Sequence, residues 1–136
     1  MSPVLALAVV AVLLVAAVAV GLVLRRREGA RRRAGVPRFD PADAAAPLGQ
    51  RATLVQFSTD LCAKCPQVRR LLGSYAAEQD GLRHVEIDLT TRPDLASRYR
   101  VLQTPTTLVV DRSGDVIARF HGVPQRHALN DAVAAA

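Results

Sequence analysis

Twenty-two consecutive residues, Pro3 to Leu24, carry no charge and no hydrogen-bonding side chain. As a helix this run reaches roughly 33 Å, against a bilayer hydrocarbon core of roughly 30 Å. A soluble helix of that length with no polar face has no stable place in a small domain. The run therefore predicts one membrane-spanning helix, with everything that follows folded outside the bilayer.

The charge distribution sharpens this. The net charge is +6, and residues 25–33 (RRREGARRR) account for +5 of it. Arg25, Arg26, Arg27, Arg31, Arg32 and Arg33 thus form a juxtamembrane stripe suited to anionic lipid headgroups. The remainder is close to neutral, with no Trp and few Tyr or Phe to stack on bases, which argues against nucleic-acid binding. No Lys or Arg precedes the apolar run. The positive-inside rule then predicts a retained single-pass anchor with its C-terminal side in the cytoplasm. The alternatives are a retained anchor with the domain outside, or cleavage near Ala17-Val18-Ala19, which imitates a signal-peptide site.

Residues 34–50 hold three Pro and two Gly and read as a linker, with one helical turn after Asp40-Pro41. The expected organisation is an anchor over 1–24, a basic stripe and linker over 25–50, and a domain over 51–136. Within the domain, β-formers at Ala52–Ser58 predict a buried strand. Apolar residues at three- and four-residue steps (Val68, Leu71, Leu72, Tyr75, Ala76) predict a helix from about Cys62 to Glu78. Alternation over Leu82–Asp88 predicts a second strand, followed by a short helix over 93–100. Strands at 106–110 and 116–120 flank an Arg112–Asp115 hairpin turn. The tail from Gln125 predicts an amphipathic helix. The order β-α-β-α-β-β-α makes an α/β domain, a mixed sheet with helices on both faces.

The two cysteines of the chain, Cys62 and Cys65, stand two residues apart between the first strand and the first helix of this domain. Dithiol chemistry needs this arrangement: two thiols able to close and reopen, the first near the positive end of a helix dipole, with Lys64 beside them to favour thiolate. The same pair could be an ordinary structural disulfide, or half of a zinc site. His84, His121 and His127 are the only histidines to complete such a site, and the ligand count is short.

With that element order, Val55–Cys65 resembles the strand-turn-active-site segment of the thioredoxin superfamily. Val101–Thr106 is similar to its cis-proline segment, and His121-Gly122-Val123 to the glycine turn before its last helix. The likeness covers about residues 51–134. It implies a thioredoxin-like fold and a redox-active disulfide, with no cofactor and no metal. It further implies Cys62 as attacking thiol, Cys65 as resolving thiol, and a substrate groove formed by Leu61, Thr104, Pro105 and Gly122. The partners it implies are proteins with disulfides and a thioredoxin reductase-type electron donor. The function expected is a membrane-anchored thiol-disulfide oxidoreductase. Its alternatives are an extracytoplasmic enzyme for exported proteins or cytochrome assembly, and a redox-inert adaptor that keeps the fold.

The chain departs from the housekeeping pattern at four places. Ala63-Lys64 replaces Gly-Pro between the cysteines, and Leu61 replaces the preceding Trp. Gln56 stands where a buried acid assists the resolving thiol. Arg70 replaces a helix proline. Asp60 is a turn residue expected to be solvated or to cap the helix.

Overall fold

In a computed structural model, which describes residues 2–136, a long apolar helix precedes a four-stranded mixed sheet. The helix, α1 (Pro3–Arg27), has Ser2 as N-cap and Arg25, Arg26 and Arg27 in its last turn, a favourable end for cations. It buries nothing against the domain, and it is long and apolar enough to cross a membrane, a property shared by anchors and signal sequences.

The remaining elements are α2 (Pro41–Ala44), β1 (Ala52–Ser58), α3 (Cys65–Ala77), β2 (Leu82–Asp88), α4 (Pro93–Arg98), β3 (Thr106–Asp111), β4 (Val116–His121) and α5 (Arg126–Ala134). The strand order is β2-β1-β3-β4. β1 pairs parallel with β2 and antiparallel with β3, so it is central and buried along its whole length. That is why its sequence is a continuous β-forming run rather than an alternating one.

Two cores flank the sheet. On one face Val68, Leu72 and Tyr75 of α3 and Leu129, Ala132 and Val133 of α5 cover Leu54, Val109 and Phe120. On the other, Leu95 and Tyr99 pack on Val55, Phe57, Leu108 and Val110, joined by Val36 and Phe39 from before the first strand. The α/β fold and the element order expected from sequence are present.

Two expectations change. The helix was expected from about Cys62 but begins at Cys65, because Pro66 has no N–H to give the Cys62 carbonyl four residues earlier; the Cys62 N–H closes a turn with the Thr59 carbonyl at 3.2 Å. Cys62 therefore precedes the helix rather than sitting in its first turn. The stretch 34–50, expected as a linker, contributes Val36 and Phe39 to the core. Antiparallel bridges Arg32–Arg119 and Arg38–Asp115 run the chain from Arg32 to Arg38 along the edge of β4, which would otherwise be open. Arg31 Nη2 donates to the Ile117 carbonyl at 3.1 Å, so this arginine of the basic stripe bonds the domain. The Arg119 guanidinium is buried and donates to the carbonyls of Ala34, Tyr99 and Arg100, tying the segment to the end of α4.

Candidate active site

β1 ends at Ser58 and the chain turns through Thr59–Leu61 to Cys62. Cys62 and Cys65 are joined by a disulfide, with Cα atoms 5.4 Å apart. Their environments differ. Cys65 opens α3 and is buried, whereas Cys62, ahead of the helix, is half-buried at the surface. Pro66 follows without cost, since the first turn of a helix has no intrahelical use for its N–H. Asp60 is exposed and does not cap α3, whose N-cap is Lys64.

A second loop meets the disulfide loop. The Thr104–Pro105 peptide is cis, and Thr104 Oγ1 lies 3.3 Å from Thr59 Oγ1. The Gly122 N–H donates to the Pro105 carbonyl at 2.9 Å, which fastens the glycine turn after β4 to the proline loop. Gly122 has φ +71°, a conformation natural to glycine. Leu61 is 97% exposed. Leu102, 94% exposed in the proline loop, was not singled out from sequence.

A cleft of about 400 Å³ opens beside the disulfide, lined by Ser58, Asp60, Cys62, Cys65, Arg69 and Glu86 among others. Arg69 and Glu86 pair across it, Arg69 Nη2 donating to Glu86 Oε1 at 2.7 Å. Ser58 Oγ also donates to Glu86 Oε1, at 2.7 Å. The Arg69 hydrogen bond is the chief reason that the Glu86 carboxyl lies below the usual carboxylate range.

Beneath the disulfide lies a polar chain. Gln56 is fully buried, and its Nε2 donates to the Cys65 carbonyl at 3.0 Å. Its Oε1 then takes the His84 Nε2–H, at 3.0 Å. The position where an acid was missed is thus a satisfied amide leading to an imidazole. His84 entered from sequence only as a candidate zinc ligand; its link to Gln56 across β1 and β2 has no local signature. Among the described residues there is no group of three His, Cys, Asp or Glu placed to hold a metal.

Burial keeps His84 below its ordinary pKa of 6.5, opposed by Glu86 and aided by Arg69. Burial, then Arg119 and Arg32, do the same for His121. An unfolded histidine binds a proton near pH 6.5 that the folded one refuses. The stabilising contribution is therefore complete above that pH and is lost as pH falls toward the lower folded pKa. Urea midpoints should fall as the pH is lowered from 7.5 to 5.5, and His84→Gln should flatten the dependence. A midpoint that rises with acid over this range would contradict the assignment.

Comparison with known proteins converges on one family. The thioredoxin family profile matches residues 43–135. A thioredoxin of Methanocaldococcus jannaschii is 31% identical over 78 residues, covering 57% of this chain and 86% of that protein. Among solved structures, oxidized mitochondrial thioredoxin 3 from Saccharomyces cerevisiae superposes with a TM-score of 0.55 at 21% identity, over 64% of this chain and 80% of that one. A chain from a structure on the thiol resolving mechanism in yeast mitochondrial 1-Cys peroxiredoxin gives 0.56 at 20% identity, with the same coverage. At such identities the structural matches speak for the fold.

Proposed function

This chain belongs to the thioredoxin family, and on that premise we propose that it is a membrane-anchored thiol-disulfide oxidoreductase acting on protein disulfides. The observation that carries this is the Cys62–Cys65 disulfide at the mouth of a cleft, with one sulfur accessible and the other buried. In the reduced form the Cys62 thiolate attacks a substrate disulfide. A Cys62–substrate bond forms, and the first substrate sulfur leaves as thiolate. Cys65 then attacks the Cys62 sulfur, the Cys62–Cys65 disulfide closes, and the second substrate sulfur leaves. Two electrons pass to the substrate, and an external dithiol donor restores the pair. Cys62 is the attacking group because it is the more accessible of the two, and Lys64 favours its thiolate.

Thr104 and Pro105, with Gly122 and Leu61, would hold an extended substrate segment beside the sulfurs through backbone hydrogen bonds. In this reading residues 1–24 would be the anchor, 51–136 would carry the redox site, and the basic connection over 25–50 packs Val36 and Phe39 into the same domain core. The arginines at 25–27 and 31–33 support a domain on the cytoplasmic side, where the resting pair is a dithiol.

The full chain in detergent, given a dithiol donor, should reduce insulin disulfides. No reduction by wild type with any dithiol donor would reject the enzyme reading. A C-terminal reporter active on only one side of the membrane should signal from the cytoplasm; a signal from outside would move the same chemistry to exported proteins.

A further inference from the structure

The single lysine of this chain stands between its two cysteines, and the single acid ahead of Asp40 is Glu28. The structure brings them together: Lys64 Nζ pairs with Glu28 Oε1 across 36 residues. Glu28 does not reach there by chance of a loose side chain. Its neighbour Gly29 is buried, with φ +72°, and a Cβ at Gly29 would collide with the Val123 carbonyl. The Gly29 N–H donates to the His121 carbonyl at 2.8 Å, and the Gly29 carbonyl accepts from Gln125 N at 2.9 Å. Gln125 Nε2 also donates to the carbonyls of Arg26 and Glu28, at 3.1 and 3.2 Å. The backbone around Glu28 is thereby clamped on both sides of Gly122.

From this clamp the Glu28 side chain lies over Gly122, where an added Cβ would come 2.6 Å from Oε1 and 2.7 Å from Cγ. The space that the absent Gly122 side chain leaves is filled by a carboxylate from the segment leaving α1. That space borders the Pro105 loop, through the Gly122–Pro105 hydrogen bond.

We propose that Lys64 and Gly122 form a subsite for an acidic side chain flanking the substrate's disulfide, and that Glu28 occupies it in the free protein as an intramolecular stand-in. The proposal rests on the oxidoreductase reading. An incoming segment with Asp or Glu beside its cysteine replaces Glu28 and takes over the Lys64 ammonium. A segment with a neutral residue there must displace Glu28 and leave Lys64 unpaired. Both Lys64 and Glu28 are partly exposed, so the discrimination is modest, about fivefold at most.

The test uses the reduced full chain in detergent micelles and two peptide disulfides that differ only by Glu or Gln two residues from the bridged cysteine. Rates are divided by the rate with neutral 2,2′-dithiodipyridine, which reports intrinsic thiol reactivity. Wild type should prefer the Glu peptide, and Glu28→Gln should raise the normalised kcat/KM for it by about two- to fivefold. Lys64→Gln should erase the preference. Equal normalised rates for the two peptides in Glu28→Gln would overturn the subsite while leaving the enzyme intact. Failure of wild type to react with dithiodipyridine would instead reject the oxidoreductase reading, and the subsite with it.

Discussion

Cys65→Ser should abolish turnover, by on the order of 10³-fold or more, and should accumulate a mixed disulfide between Cys62 and its substrate. The reason is the division of labour in the site. Cys62 is accessible and can still attack, but serine cannot displace the substrate sulfur from it, because an un-ionised hydroxyl is a poor nucleophile at neutral pH. Cys62 and Cys65 are the only cysteines of the chain, so no other thiol of the protein can do so in its place. The trapped species should run as a high-mass band on non-reducing gels and vanish with dithiothreitol. Cys62→Ser should lose turnover equally but trap nothing, since the buried sulfur does not meet substrate. If Cys62→Ser formed the adduct and Cys65→Ser did not, the assigned roles would be reversed.

Phe57→Ala should be the most damaging single change to stability outside the disulfide. Phe57 lies fully buried on β1, its ring centroid 5.6 Å from that of Tyr99, which in turn lies 5.0 Å from Phe39. Truncation removes one end of this row of three tilted rings and leaves a cavity between the strand and the Tyr99 ring. Such truncations cost about 3–5 kcal/mol, a large part of the roughly 5–15 kcal/mol that holds a domain together. The melting temperature of the detergent-solubilised chain should drop by about 15–30 °C. Phe57→Leu keeps most of the volume and should cost far less. A loss under about 1 kcal/mol for the alanine variant would mean that this face of the sheet is not a cooperative core.

Most of the strand and helix order was legible because it depends on local pattern. β1 reads as an unbroken run, β2 as alternation, and α3 and α5 as apolar stripes, each a direct image of which faces are covered. The disulfide and the proline segment were legible because their spacing is local too. What sequence hid depends on distant partners. Ala34 bonds Arg119 across 85 residues, Glu28 pairs with Lys64 across 36, and Gln56 meets His84 across 28. None of these leaves a period or a motif behind. Residues 28–40 therefore read as basic stripe and linker, although their backbone is paired to β4 and the turn that follows it. The lone Glu28 among six arginines was visible, but nothing near it in sequence said what it faces.

The clamp at Gly29 also sets how far the site can travel. α1 ends at Arg27, and two residues later the backbone is already bonded to His121 and Gln125. With α1 in a bilayer, no flexible tether separates the membrane from the domain. The sulfurs would then stay within the depth of one domain, whose radius of gyration is on the order of 13 Å, and search for substrate by gliding in two dimensions. Release of Glu28 and Gly29 would lengthen the leash only as far as Arg32, where pairing to Arg119 holds the chain again. A long soluble arm could reach disulfides deep in the compartment. This one would patrol the membrane surface and leave the volume beyond it to others.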